Sequence, residues 1–543
     1  MNINRYRSII SLLFVVALFI CACNQEAKKP ARKKAKKHWD NTIPGSFSQQ
    51  VDLKLDSNQV DSFFTHYPDL KAYGDQVKSF YRNRQFAYAW YENGQVIEQA
   101  NNLANRVMNL ENDGVYKQIP YKKTLDSLLN GAGAKSKSTK PDLTLDLMLT
   151  SQYFAFAKMV YDGEDASVSK ANGWNVPRKK VNYNQYLDSL LKKPAKQQAD
   201  EPVYRQYDLL KSFLKKYRAL DTAEKWLPIT TKKLKTGDSS LAVKQVKRRL
   251  YLLEDYKGDT LSSKYDTSLK AAVKIFQRRN GLAASGAVDA GTLAAMNVPL
   301  KTRIMQILVN MERSRWLPVT ISGDYLAVNI PEFQLHVYHA DSLLWNCNVV
   351  VGQTTHPTTI FSGDIKYVVF SPYWNVPPSI VRNEVLPGIK RNSNYLSAHR
   401  MEITSKEDGL PVVRQKPGEA NSLGLVKFLF PNSYNIYLHD TPSKSLFGET
   451  SRAFSHGCIR VLEPAKLANF LLADSAKWSP ATIKKAMHAG KEQYITLKKK
   501  VPVFIAYFTA FTDRDNRLNF RKDIYNLDDR LAATLISGQI AAK

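Results

Sequence analysis

Ser455-His456-Gly457-Cys458 decides the reading of this 543-residue chain, because it sets a base and a sulfur nucleophile two residues apart. In an extended segment, side chains at i and i+2 share a face, so the sequence predicts His456 and Cys458 side by side on a strand. An imidazole in that position takes the thiol proton and stabilises the thiolate, which is the reactive species. Gly457 lets the backbone turn tightly, directing nearby N–H groups toward a developing oxyanion. The stretch reads as a cysteine acyl-transfer site.

A second histidine extends the pattern. Fifteen residues separate His439 from Ser455, in the run His439-Asp440-Thr441-Pro442 … Phe454-Ser455-His456-Gly457-Cys458-Ile459-Arg460. This resembles the L,D-transpeptidases that remodel bacterial peptidoglycan, whose signature is a His, a spacer of this length, then Ser/Thr-His-Gly-Cys. The resemblance implies that Cys458 is the nucleophile, that His456 is its base and that His439 shapes the donor site. It also implies a backbone oxyanion hole near Gly457 and Cys458, with Ser455 among the substrate contacts. Many members carry Asn where this chain has Arg460, a second expected substrate contact. Zinc is the rival chemistry, since His439, His456 and Cys458 supply three ligand types. His-x-Cys is tighter than the usual ligand spacings, and no HExxH or paired CxxC accompanies it, so the expected cofactor and metal complement is none.

Arg5 and Arg7 precede a largely apolar run from Ile9 to Ile20, too short to span a bilayer and suited to a signal peptide. The run ends Ile20-Cys21-Ala22-Cys23, similar to a bacterial lipobox. Residues 1–22 are therefore expected to leave as a leader, with lipid attached to Cys23, and plain secretion is the alternative. The resulting localisation is an exported, periplasmic, membrane-anchored lipoprotein. The retained cysteines are then Cys23, Cys347 and Cys458. Cys347 lies in the apolar run Leu343-Leu344-Trp345-Asn346-Cys347-Asn348-Val349-Val350-Val351, which suits packing, and a Cys347–Cys458 bridge is the alternative. An exported protein without a disulfide framework fits an enzyme that keeps one thiol reduced.

Lysine and arginine exceed aspartate and glutamate by 29. Seven of those cations crowd Lys28–Lys37, so residues 23–39 read as a solvated basic tether near anionic headgroups or wall polymer. The remaining excess suits a polyanionic partner. Export argues against nucleic acid, and the carboxylates of peptidoglycan stem peptides satisfy the same electrostatics.

Residues 40–228 read as a mostly helical scaffold. Leu103, Val107 and Leu110 recur at helical spacing before a stop at Asp113-Gly114. The aromatic run at Phe86, Tyr88, Trp90 and Tyr91 reads as core, and residues 130–140 (NGAGAKSKSTK) read as loop. Residues 229–300 form a small helical unit in which Asp266 and Asp289 cap helices and Gly281 ends one. That unit is similar to the three-helix peptidoglycan-binding module of wall enzymes, and a spacer is the alternative.

Residues 301–490 read as a β-rich catalytic domain with short strands from Tyr325 to Phe370. An insertion at about 371–431, helical and irregular, looks like the mobile cap of the larger family members. It carries Trp374 and Tyr395 as expected substrate contacts. Residues 491–543 read as a β-hairpin extension packed on the catalytic sheet. The expected class is α+β. The implied activity is peptidoglycan cross-linking through a thioester on Cys458, with L,D-carboxypeptidase trimming or noncatalytic wall binding as alternatives.

Overall fold

The computed structural model describes residues 54–134, 140–192 and 200–540. The expected leader, the Cys23 lipid site and the basic tether lie outside the described residues. Apolar alternation builds the catalytic domain. Leu326 and Val328 in Asp324–Asn329 (β2), and Leu335 and Val337 in Gln334–His339 (β3), point into one core. Val349 and Val351 in Ser342–Gly352 (β4), with Ile365 and Val368 in Ile360–Phe370 (β5), join them. The other strands are Trp174–Asn175 (β1), Val426–Leu429 (β6), Leu438–His439 (β7), Ala453–Ser455 (β8), Ile459–Val461 (β9) and Gln493–Ala506 (β10). They run in the order β6-β7-β9-β4-β3-β2-β10-β5-β1, with β8 on β4. Strand β6 also pairs with β5, so the sheet closes on itself as a barrel. Closure removes the open edges that invite aggregation.

Strand β10 corrects the expected separate extension. It lies inside the sheet, parallel to β2 and antiparallel to β5. A register shift between Thr496 and Val501, across Lys498, Lys499 and Lys500, splits its apolar pattern into two short runs. The hairpin Ala510–Thr512/Leu518–Phe520 does not sit on the catalytic sheet as expected. Its Ala510, Leu518 and Phe520 enter the scaffold core. A helix that the reading lacked, Asp528–Ile540, returns Leu531 and Leu535 to the barrel core.

The cap is also more ordered than expected. Met401–Glu407 and Leu410–Gln415 form a hairpin with Trp374–Asn375 as third strand, over a small core of Val376, Val381, Val385 and Val413. The first hairpin strand is polar and largely exposed, so it shows no apolar alternation to read. The main sheet resumes at Val426, before the expected cap end.

In the scaffold, Leu143–Phe156 is buried all round, with Asp142 capping it through the Leu145 N–H. The buried Asp146 carboxylate accepts from the N–H groups of Ala89 and Trp90 and from the Tyr81 hydroxyl, which fixes the aromatic run as core. The helix Lys122–Ala134 continues into the tract read as loop. In the small helical unit, Asp266 and Asp289 accept from the N–H groups of Leu269 and Thr292, as capping requires. Gly281, at φ +67°, takes the left-handed position past the helix Thr267–Arg279.

A connecting helix, Leu300–Arg315, ties the parts together. Ile307, Leu308 and Met311 face the scaffold core, while Val309 joins the barrel core. Its last turn hides from sequence reading because Asn310, Glu312, Arg313, Ser314 and Arg315 are polar yet buried.

Candidate active site

Two short parallel strands position the chemistry. Leu438 pairs with Ile459 and His439 with Arg460. Leu438, Ile459 and Val461 enter the barrel core, so alternation sends Tyr437, His439, Cys458 and Arg460 to the outer face. The i, i+2 relationship therefore joins Cys458 to Arg460, not to His456. Residues 456–458 form a bend between β8 and β9, with Gly457 at φ +109°. The expected strand with His456 and Cys458 side by side is not formed, because the glycine turns the chain between them.

Cys458 is a free thiol. The backbone N–H and the hydroxyl of Tyr437 both reach its sulfur, and Sγ donates to the Asn435 carbonyl at 3.5 Å. Burial pushes the thiol up, while the Tyr437 bonds and the Arg460 guanidinium pull it back. Burial wins, and the thiol sits above its ordinary value. Arg460 is itself pulled down by burial, and its Nε is buried without a partner among the described residues.

His439 is 4 % exposed and held neutral, its pKa lowered to about 4 first by burial and then by Arg460. Its Nδ1 lies 2.5 Å from the Asp440 carbonyl. Donation there requires the proton on Nδ1 and leaves the lone pair on Nε2. The Asp440 carboxylate accepts from the Leu425 N–H at 2.9 Å and pairs with Lys444 at 2.5 Å, which anchors the segment. His456 behaves differently. It is half exposed, with Nε2 3.7 Å from Glu384 of the cap and its ring 5.0 Å from that of His356.

Ser455 is buried, so it is corrected from substrate contact to loop brace. Its Oγ donates to the Cys458 carbonyl and accepts from the Gly457 N–H at 3.2 Å. That bond occupies the Gly457 donor expected for the oxyanion. The Gly457 carbonyl accepts from Thr358 Oγ1 at 2.7 Å, and Tyr525 bridges the Thr358 N–H and the Gly352 carbonyl. Trp374 and Tyr395 pack against the cap's own core, and Tyr395 stacks on His399 at 4.1 Å. Cys347 is buried in the barrel core, its thiol raised to about 11 by burial. Among the described residues, no three His, Cys, Asp or Glu side chains are grouped to hold a metal ion.

Tyr437, Thr358, Tyr525 and Glu384 escaped the sequence reading. Only Tyr437 carried a usable signal, two residues before His439 on the same strand face.

Comparison with known proteins gives this geometry a family. Residues 323–503 match the "L,D-transpeptidase catalytic domain" family, residues 75–214 the "Scaffold domain" and residues 239–296 the "Putative peptidoglycan binding domain". A "Putative L,D-transpeptidase" of Haemophilus influenzae is 30% identical over 254 residues, 44% of this chain and 51% of the relative. The chain thus spans about half the length of that curated relative. Among solved structures, the L,D-transpeptidase of Xylanimonas cellulosilytica shares 15% identity, covering 52% of this chain and 100% of that chain at TM-score 0.18. That of Stackebrandtia nassauensis shares 16%, covering 52% and 97% at TM-score 0.21. Overlaps this loose carry no argument beside the family matches. The protein is a multi-domain chain in which an L,D-transpeptidase catalytic domain is joined to a scaffold domain and a peptidoglycan-binding-type domain.

Proposed function

We propose that the chain is a peptidoglycan L,D-transpeptidase that cross-links third-position diamino acid residues of stem peptides through a thioester on Cys458. The observation that carries this reading is the outer-face cluster of a free Cys458 with Tyr437, His439 and Arg460, inside a matched transpeptidase domain. The Cys458 sulfur attacks the carbonyl carbon before the terminal D-alanine. Its proton passes to His439, which is neutral and a diagonal neighbour across the strand pair. The departing D-alanine amine takes that proton, leaving the thioester. The side-chain amine of a second stem then attacks, forming the cross-link and restoring the thiol. Because Ser455 holds the Gly457 N–H, the Cys458 amide is the oxyanion donor in this reading. His456, at the start of the bend, and Arg460, on the strand that follows it, meet substrate groups rather than acting as base.

We further infer export, lipid attachment at Cys23, and wall binding by residues 239–296. The support is the leader pattern, the Ile20–Cys23 run and the family match. Purified protein incubated with tetrapeptide muropeptides should yield D-alanine and cross-linked dimers by mass analysis, and Cys458→Ala should yield neither. Trimmed tripeptides without dimers would replace transpeptidation by carboxypeptidase action. Cys23→Ala should leave the membrane fraction, and a folded deletion of 239–296 should sediment less with sacculi.

A further inference from the structure

A cavity of about 350 Å³ opens on the outer face of the barrel, over β2, β3 and β10. Leu343 and Asn346 of β4 also line it, but none of Tyr437, His439, His456, Cys458 and Arg460 does, so this cavity is separate from the Cys458 cluster. Residues 204–206 of the scaffold and 511–515 of the C-terminal hairpin complete its walls. The volume falls at the small end of ligand sites, roughly 300–1,000 Å³, enough for one or two rings.

Its floor is aromatic. Tyr325 stacks on Tyr338 with centroids 4.8 Å apart and planes at 13°, and Phe504 stands edge-on to Tyr325. Such faces hold a flat ring. Its acids are engaged. Glu332 is bonded to His336 at 3.0 Å and Asn329 at 3.2 Å, with Arg521 at 3.8 Å. Asp513 accepts from the N–H groups of Asp515 and Arg517 and from the Asn519 side chain, while Asp515 stands exposed at the rim.

The cations are not balanced in the same way. Arg514 lies 5.5 Å over the Tyr338 ring, donating to the Asp341 carbonyl and to the Tyr338 hydroxyl, and neither it nor Arg205 pairs with a carboxylate among the described residues. Two polar atoms in the wall residues also lack partners among the described residues: Thr512 Oγ1, on a residue 3 % exposed, and His336 Nδ1. Buried orphans are uncommon and call for an explanation such as a bound polar group.

We propose that this cavity binds a small ring-bearing carboxylate, its ring on the tyrosine floor and its carboxylate between Arg205 and Arg514. Charge-assisted bonds from a guanidinium select such a group. Isothermal titration of the full chain with 2-naphthoate tests this, with neutral 2-naphthamide as the matched control. The naphthoate should bind at least about tenfold tighter than the amide. Arg205→Gln/Arg514→Gln should weaken naphthoate to the level of the amide, and Ala327→Phe, which fills the floor, should weaken both. Cys458→Ala should bind both probes as the parent chain does. Equal affinity for the two probes, no measurable naphthoate binding, or loss of binding in Cys458→Ala would overturn the proposal.

Discussion

The hydroxyl of Ser455 donates to the carbonyl of Cys458 at 2.5 Å while accepting the Gly457 N–H. One side chain thus closes the bend that presents the Cys458 thiol. Without it, two buried backbone groups lose their partner.

Ser455→Ala should therefore lower D-alanine release by about 5- to 150-fold, the kinetic equivalent of about 1–3 kcal/mol for a lost buried hydrogen bond. Ser455→Thr keeps the hydroxyl and should retain most of the rate. A direct substrate contact predicts a change mainly in KM, whereas a brace predicts a loss mainly in kcat.

Cys458 should alkylate with a midpoint above the ordinary cysteine value, because burial outweighs the groups that favour its thiolate. This reverses the sequence expectation of an activated, low-pKa thiol. Tyr437→Phe and Arg460→Gln each remove a group that lowers the thiol pKa, so each should shift the iodoacetamide profile upward. At pH 8 the rate should fall roughly three- to tenfold in each variant. A profile that moves downward in either would contradict the assignment, and Cys347 should stay unlabelled in all.

How much of this was legible follows from residue type. Strand alternation and the Asp266 and Asp289 caps declared their roles, because each depends on local chemistry. The side-by-side placement of His456 and Cys458 failed on one torsion, Gly457 at φ +109°, which a sequence permits but does not compel. Trp374 and Tyr395, expected as substrate contacts, are partly buried against a small cap core that the polar sequence of the insertion does not announce. Strand β10 was split by its bulge, and the end of the connecting helix was masked by polar residues whose partners lie about 150 to 200 positions away.

His439 makes stability depend on pH. Its folded pKa, about 4, lies below the ordinary value near 6.5, so the unfolded chain binds the proton first as pH falls. Stability is intact at pH 7, is lost progressively below about pH 6.5, and the loss levels off below pH 4. The full span is roughly 3 kcal/mol. His439→Asn should flatten the pH 7 to pH 4.5 slope in urea unfolding, and an unchanged slope would remove His439 from the account.

Arg315 should be the costliest single side chain to lose outside the active site. Its guanidinium bonds the Val160 carbonyl at 2.8 Å, the Asp113 carbonyl at 2.6 Å and the Glu312 carboxylate at 2.7 Å, joining the scaffold to the connecting helix. Both members of the pair are buried, and Glu312 also accepts from the Glu164 N–H and the Trp316 indole. Arg315→Met strands that carboxylate and two carbonyls, and should cost about 3–5 kcal/mol. Arg315→Lys should recover little, since one ammonium cannot reproduce a planar fork aimed in three directions. The double variant Glu312→Gln/Arg315→Met should lose less than the sum of its parts, because the amide still accepts while the buried charge is gone. Additive losses in chemical denaturation would mean that the buried pair is not what couples the two domains.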